Sequence, residues 1–151
     1  MFNDCDYCED QEDVPRVSQQ KIYRLIDANF NRAKEALRVC EDMCRFYLDA
    51  PALTRQYKDI RHKLTTAVVE LEIKSLIQAR SIETDVGRGS TPSEFRRRDG
   101  GDIFYANSQR AKESVRVLEE CAKLFTAPAA RKLKRLRYQL YAIEKKVISR
   151  I

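Results

Sequence analysis

The residues best suited to chemistry in this sequence occur twice, at matching positions of two similar segments. Residues 28–46 read ANFNRAKEALRVCEDMCRF and residues 106–124 read ANSQRAKESVRVLEECAKL, with 9 identities in 19 positions. Each copy places an asparagine and an arginine three residues apart, Asn29 with Arg32 and Asn107 with Arg110. Because a guanidinium group binds phosphate oxygens through paired hydrogen bonds, the repeated pair predicts a pocket for a phosphorylated ligand.

Two more arginines and two glutamates recur in the same way. Arg61 and Arg137 lie in segments that match at an offset of 76 residues, and we expect them to join the phosphate-binding set. Glu35 and Glu113 each follow the arginine of their own copy by three positions. A glutamate at that spacing can form an ion pair within the helix, in which case the repeated motif would be architecture and not a site.

The segment between the copies, residues 79–101, contains all four glycines of the chain. Asp85 and Gly87 belong to the string DVGRG, which offers a carboxylate beside flexible backbone. Since Mg²⁺ usually takes one or two carboxylates together with substrate phosphates, Asp85 is a candidate Mg²⁺ ligand. Thr91 and Pro92 predict the start of a short helix in the same segment. A GxxxxGK[ST] phosphate-binding loop does not occur in the sequence.

The spacing of apolar residues predicts the helices that position these candidate site residues. It predicts helices over about 18–48, 51–78 and 103–125, and a fourth helix that follows Pro128 and continues to about Val147. The pattern predicts an all-α fold, an antiparallel bundle of two duplicated long helical hairpins related by a pseudo-two-fold axis. We expect a single domain over 18–151, with repeats at about 22–78 and 102–150, preceded by an acidic disordered tail over 1–17.

Charge is divided unevenly along the chain. Residues 1–13 contain six acidic residues and no base, whereas the whole chain carries a net charge of +6. The strongly basic remainder favours anionic partners: phosphorylated metabolites, nucleotides or nucleic acid. Basic runs at 96–98 and 131–137 come without an aromatic stacking platform, which makes nucleic acid an improbable partner. No apolar run is long enough for a membrane span and no secretory signal is evident, so we expect a cytoplasmic protein.

The five cysteines do not form a disulfide framework. Cys5 and Cys8 form a lone CxxC in the acidic tail. This pair either has no specific role or has a transient role in metal binding or redox chemistry. The other three, Cys40, Cys44 and Cys121, lie on predicted helix faces and are expected to be small buried apolar residues.

Three strings of this sequence resemble a known helical domain. They are IDANFNRAKEALRVCEDMCRF, KRLRYQLYAIEK and the long stretch from DVGRG to CAKL. The domain stands N-terminal to the barrel in some bacterial thiamine-phosphate synthases, also occurs as a separate protein, and has been proposed as an alternative hydroxymethylpyrimidine-phosphate kinase. The resemblance covers about 22–145. We do not expect the barrel here, because the sequence leaves no room for eight strand–helix units.

The resemblance implies a phosphorylated pyrimidine as ligand, with ATP and Mg²⁺ as cosubstrate and cofactor. It then implies catalytic roles for Asp85, Glu35 and Glu113, with Asp85 on the metal. Phosphates or the pyrimidine would be bound by Asn29, Arg32, Arg61, Gly87, Asn107, Arg110 and Arg137.

Two other function classes stay open at this point. One is a non-catalytic module that binds a pyrimidine phosphate or docks on a separate thiamine-phosphate synthase. The other is a basic helical protein that binds nucleic acid through its fourth helix. Either could form a homo-oligomer.

Overall fold

A computed structural model describes residues 16–151, with side chains from residue 19 onward. Five α-helices follow in order: α1 (Arg16–Asp42), α2 (Pro51–Val69), α3 (Ile73–Gln78), α4 (Gly100–Ala122) and α5 (Ala127–Ile148). A π-helical turn, Met43–Tyr47, extends α1, and a 3-10 helix, Pro92–Phe95, lies between α3 and α4. Residues 16–151 contain no β-strand, which confirms the all-α prediction. The predicted acidic tail lies almost entirely outside the described residues.

The helices pack as an antiparallel bundle, as their apolar spacing predicts. On α1 the residues at helical spacing, Ile26, Ala33, Leu37 and Cys40, are completely buried, so one stripe of the helix faces the core. Helix α1 packs most extensively against α4, while α2 contacts α1 and α5 contacts α4. None of the helices in the described part of the chain has the length and hydrophobicity needed to cross a membrane.

Small residues allow the two central helices to approach closely. Ala33 and Ala36 of α1 and Ala111 and Ser114 of α4 are each at most 3% exposed. The start of α1 meets the end of α4, where the rings of Tyr23 and Phe125 stack with centroids 5.4 Å apart. The surface on which α1 and α4 cross therefore contains the repeated motif of both segments.

Each hairpin is bridged by an ion pair at equivalent positions. Arg61 of α2 donates from Nε to Glu41 of α1 at 2.9 Å, and Arg137 of α5 donates from Nε to Glu119 of α4 at 2.8 Å. Both glutamate side chains are about 95% buried, and both arginine side chains are less than a fifth exposed. A charge this deeply buried must be paired, so these contacts fix how the two helices of each hairpin align.

The prediction of one helix over 51–78 is wrong. The chain leaves the α-helical conformation after Val69 and re-enters it at Ile73, with Glu72 in the left-handed region at φ 60°. Leu71 and Leu76 are both buried, and α3 packs back against α1. The change of direction lets both leucines reach the core, which a straight helix would not allow.

The segment between the hairpins is shorter than predicted, running from 79 to 99, because α4 begins at Gly100. Asp99 is the N-cap of α4, and its Oδ1 atom accepts a hydrogen bond from the backbone N–H of Asp102 at 2.9 Å. That cap starts the helix before the glycine pair and not after it. Near the middle of the segment, the short helix predicted at Pro92 is present as a 3-10 turn. We call residues 79–99 the central loop.

Candidate functional site

A broad concave surface lies between α1 and the start of the central loop. This loop cleft has a volume of about 750 Å³. Eight residues of α1 and six of the loop line it: Lys21, Arg24, Leu25, Asp27, Ala28, Asn31, Arg32, Glu35, Arg80, Ser81, Ile82, Thr84, Asp85 and Val86. Four bases and three carboxylates are thus gathered around one cavity whose size suits a small ligand.

The loop cleft brings together three of the residues predicted from the sequence. Arg32 and Glu35 come from α1 and Asp85 comes from the loop, and all three are exposed. The Oδ1 atom of Asp85 accepts a hydrogen bond from the backbone N–H of Gly87 at 2.9 Å. Gly87 therefore orients the carboxylate, and it does not itself line the cleft.

A second, smaller cleft joins other predicted residues across the contact between α1 and α4. This interhelix cleft has a volume of about 420 Å³ and is lined by Asn29, Arg32, Arg110, Glu113, Ser114 and Val117. Arg32 lines both clefts. The two arginines of the repeated motif therefore border one cavity, with Arg32 standing between it and the loop cleft.

Three predicted ligand-binding residues lie elsewhere. Arg61 and Arg137 take part in the hairpin ion pairs and line neither cleft. Asn107 lines neither cleft and donates its amide to the carbonyl of Ile103 at 2.8 Å, one helical turn earlier.

The two motif asparagines share a structural role. Asn29, which is 4% exposed, donates to the carbonyl of Leu25 at 2.9 Å, just as Asn107 donates to Ile103. An amide that satisfies its own helix can sit on an apolar face at little cost, which explains how a polar residue is tolerated there in both copies.

The motif arginines are exposed, and the alternative of an ion pair within each helix is not realised. Within the described part of the chain, neither Arg32 with Glu35 nor Arg110 with Glu113 comes within ion-pair distance. Neither arginine is therefore paired with the glutamate of its own motif. This arrangement leaves two guanidinium groups and two carboxylates available at the cleft surfaces.

A buried aspartate and two arginines of the loop cleft were missed in the sequence analysis. Asp27, which is 4% exposed, accepts hydrogen bonds from Arg80 Nε to Oδ2 and from Arg80 Nη2 to Oδ1, both at 2.7 Å. Arg24 donates from Nη2 to the carbonyl of Ser81 at 2.9 Å. The only sequence signal was a carboxylate directly after the core residue Ile26, and its partner lies 53 positions further on.

The donor set suits a metal only when a ligand supplies further oxygens. The described residues contain no group of three or more His, Cys, Asp or Glu side chains placed to hold a metal ion. Asp85 and Glu35 line the same cleft, and one or two carboxylates are what Mg²⁺ takes when phosphates complete its shell. The residues therefore fit Mg²⁺ that arrives with a phosphorylated ligand.

The exposed side of α5 forms a third surface, which is basic and aromatic. Arg131, Lys134, Arg135, Tyr138 and Gln139 line a depression of about 460 Å³. Helical spacing brings two exposed tyrosines, Tyr138 and Tyr141, beside the basic run, for which no aromatic stacking platform was predicted. The guanidinium of Arg137 lies 5.4 Å from the ring centroid of Tyr138 and 5.8 Å from that of Tyr141. No carboxylate lines this depression, so it offers nothing to hold a metal.

Comparison with known proteins identifies relatives over nearly the whole described chain. The family model described as the ThiD2 family matches residues 24–146. The thiamine-phosphate synthase of a Synechococcus strain is 41% identical over 125 residues, which are 82% of this chain and 34% of the relative. That of Nostoc punctiforme is 38% identical over 127 residues, 83% and 35% of the two chains. The chain thus spans about a third of the length of these relatives. No solved structure shows significant similarity.

Proposed function

This chain belongs to the ThiD2 family, and from that membership we propose that it serves thiamine biosynthesis by phosphorylating hydroxymethylpyrimidine phosphate with ATP. The observation that carries the proposal is the loop cleft. Arg32 and Glu35 of α1 and Asp85 of the central loop, all predicted from the sequence, line that one cavity together. Three further bases surround them, and guanidinium and ammonium groups are the partners that the phosphates of the two substrates need.

The reaction would form a bond between an oxygen of the pyrimidine monophosphate and the γ-phosphorus of ATP. The bond from the γ-phosphorus to the β,γ-bridging oxygen would break, giving the pyrimidine diphosphate and ADP. Because such a transition state is loose, the protein contributes mainly positioning and charge neutralisation. Arg32 is the residue best placed for this role, since it faces the loop cleft on one side and the interhelix cleft on the other.

In this proposal Mg²⁺ enters with ATP, and Asp85 and Glu35 are the residues that would hold it. The metal would supply neutralisation of charge on the β- and γ-phosphates. Gly87 contributes through its backbone N–H, which fixes the Oδ1 atom of Asp85 and leaves the Oδ2 atom available. Arg110 and Glu113, which line the interhelix cleft, would act on the part of the substrates that extends beyond Arg32.

The test is a direct assay of the purified full-length protein with hydroxymethylpyrimidine phosphate, ATP and Mg²⁺. ADP release is followed by a coupled assay, and formation of a diphosphate is checked by ³¹P NMR. We expect Arg32→Ala to lower kcat/KM by about 10- to 100-fold, which corresponds to the loss of one charge-assisted hydrogen bond. The matched control is Arg55→Ala, because Arg55 is an exposed arginine of α2 that lines none of the clefts.

Two results would contradict the proposal. One is the absence of a diphosphate product from the wild-type protein at high enzyme concentration. The other is an Arg32→Ala variant whose activity equals that of Arg55→Ala, since the loop cleft would then have no part in the reaction.

The length of the relatives favours a second candidate function. The matched region is only about a third of proteins named thiamine-phosphate synthase, so in those proteins it shares a chain with other segments. A non-catalytic module that binds the pyrimidine phosphate and docks on a thiamine-phosphate synthase is consistent with this observation. It predicts saturable binding of the pyrimidine phosphate without ADP release, and the same assay separates the two.

A further inference from the structure

Arg80 occupies an unusual position in the loop cleft. Its side chain is 43% exposed and lines the cavity, yet two of its nitrogen atoms are held by a carboxylate that is 94% buried. The two hydrogen bonds are short, 2.7 Å each, and run in parallel from Nε and Nη2 to the two oxygens of Asp27. The side chain therefore cannot rotate freely, although much of it faces solvent.

The bidentate contact leaves one edge of the guanidinium available. Of its five N–H donors, the contact with Asp27 uses one on Nε and one on Nη2. Nη1 makes no hydrogen bond to any of the described residues. The hydrogen bonds and charge of Asp27 raise the pKa of Arg80, so its guanidinium stays charged. A planar, charged edge with spare donors at a cavity surface is a typical anion-binding group.

Asp27 is itself held in place by a neighbour on α1. The amide of Asn31 donates to Asp27 Oδ1 at 3.3 Å, and it also donates to the Asp27 carbonyl at 3.0 Å. Arg24 independently ties the loop to α1 through the Ser81 carbonyl. Since the loop already has that second attachment, anchoring the loop does not by itself require the Asp27–Arg80 pair.

We propose that Arg80 binds a phosphate group of the ligand in the loop cleft and that Asp27 is the positioning residue that acts through it. The ligand class, a phosphorylated pyrimidine, rests on the proposed function, whereas anion binding by Arg80 does not. Asp27 adds no positive charge and in fact cancels that of Arg80. Its contribution is therefore orientation: the free edge of the guanidinium is aimed before the anion arrives.

The direction in which Asp27→Ala changes the affinity for anions distinguishes two possible roles of Asp27. If Asp27 acts only through its charge, then Asp27→Ala removes a negative group from the cleft and anions bind more tightly. If Asp27 orients Arg80, the same substitution frees the guanidinium and anions bind more weakly. We expect weaker binding, by about tenfold for Asp27→Ala and by about tenfold or more for Arg80→Ala. Asp27→Glu and Arg80→Lys, which keep the charges, should each recover part of the affinity.

The experiment measures binding of inorganic pyrophosphate and of hydroxymethylpyrimidine phosphate by isothermal titration calorimetry. The chain provides a matched control in Arg98 and Asp102, a second bidentate arginine–aspartate pair with hydrogen bonds of 2.8 and 3.0 Å. That pair lies outside the clefts. Arg98→Ala and Asp102→Ala should leave the affinity for both ligands unchanged, and circular dichroism verifies that every variant is folded.

Several outcomes would overturn the inference. They are a wild-type protein that binds neither ligand, an Asp27→Ala variant that binds pyrophosphate more tightly, and variants of the pair that match the Arg98 and Asp102 controls. The kinase proposal fails separately. A protein that binds pyrophosphate through Arg80 but releases no ADP supports this inference and contradicts the kinase, while turnover unaffected by Arg80→Ala does the reverse.

Discussion

Removal of the Glu119 carboxylate tests whether the hairpin ion pairs hold the fold or serve a ligand. In Glu119→Ala the side chain of Arg137 loses the acceptor of two hydrogen bonds, of 2.8 Å from Nε and 3.4 Å from Nη2. Arg116 loses a third, of 3.0 Å. The charge of Arg137 then stays in a side chain that is only 13% exposed, with the hydroxyl of Tyr141 as its remaining hydrogen-bond acceptor at 3.1 Å.

The magnitude follows from the burial of the two arginines. Breaking a buried ion pair by removing one partner costs about 3 to 5 kcal/mol. Arg116 is half exposed and can turn to water, so its share is below about 1 kcal/mol. Arg137 keeps one hydrogen bond and some contact with solvent, which places the total near the lower limit, at about 3 kcal/mol. For a chain of this length the melting temperature should fall by about 6 to 12 °C.

The assay is urea unfolding at pH 7, followed by circular dichroism, of four proteins: wild type, Glu119→Ala, Arg137→Met and Glu119→Leu/Arg137→Met. The double variant should recover most of the lost free energy of unfolding, because neither charge is then left unpaired. Glu41→Ala provides the comparison in the other hairpin.

Two results would refute this reasoning. One is a destabilisation of less than about 1 kcal/mol for Glu119→Ala, a value typical of an exposed pair. The other is a stable Arg137→Met protein with weakened affinity for pyrophosphate, which would return Arg137 to the set of ligand-binding residues.

Three further outcomes are expected. Tyr57→Phe should raise the free energy of unfolding by about 1 kcal/mol, because the Tyr57 hydroxyl is the one buried side-chain polar atom, among the described residues, without a hydrogen-bond partner within bonding geometry; a loss of stability in the same urea assay would show that it bonds a neighbour such as Ser108. Hydrogen bonds from Arg98 lower the pKa of Asp102 from 3.8 to about 2, so the stabilisation from this pair is complete above pH 3.8 and is lost as the pH falls through about 2. An NMR titration should show Arg98→Ala moving the Asp102 midpoint back toward 3.8, and an unchanged midpoint would contradict the assignment. In a variant with Cys5 and Cys8 replaced by serine, the three remaining thiols, those of Cys40, Cys44 and Cys121, should react with a maleimide only after denaturation. They are buried, and burial raises the pKa of each thiol, to about 11 for Cys44. Labelling of the native protein would show that the core opens.

Much of the fold could be predicted because long amphipathic helices leave a clear periodic pattern. The stripes of α1 and α5 predicted helices whose ends differ from the observed ones by a few residues. The break at Glu72 could not be predicted, since no glycine or proline marks it and apolar residues occur on both sides of it. Only the packing of α3 against α1 makes the change of direction favourable.

The candidate site was predictable only in part, for a related reason. Arg32, Glu35 and Asp85 could be selected by residue type and context, and the structure gathers them in the loop cleft. Asp27 and Arg80 could not, because nothing local relates two residues 53 positions apart. Their contact exists only once the loop has folded onto α1.

The sequence does contain a sign that Arg61 and Arg137 form ion pairs within the hairpins. Arg61 and Arg137 recur, but so do Glu41 and Glu119, at the offset that relates the two copies. A repeated base accompanied by a repeated acid is charge-balanced, which indicates an internal ion pair before it indicates a ligand. The motif arginines Arg32 and Arg110 are different, since their repeated glutamates do not reach them.

The packing of α1 against α4 has a consequence for the way the chain assembles. Each hairpin can close through a short turn, whereas the α1–α4 contact joins segments roughly 80 residues apart and must await closure of a long loop. At high concentration, the second hairpin of one molecule can reach α1 of another before its own. A swapped dimer of that kind would keep every helix contact and both ion pairs, and only the path of the central loop would differ. Because Arg80 and Ser81 attach that loop to α1, the contacts that shape the cleft also direct the second hairpin to its own chain.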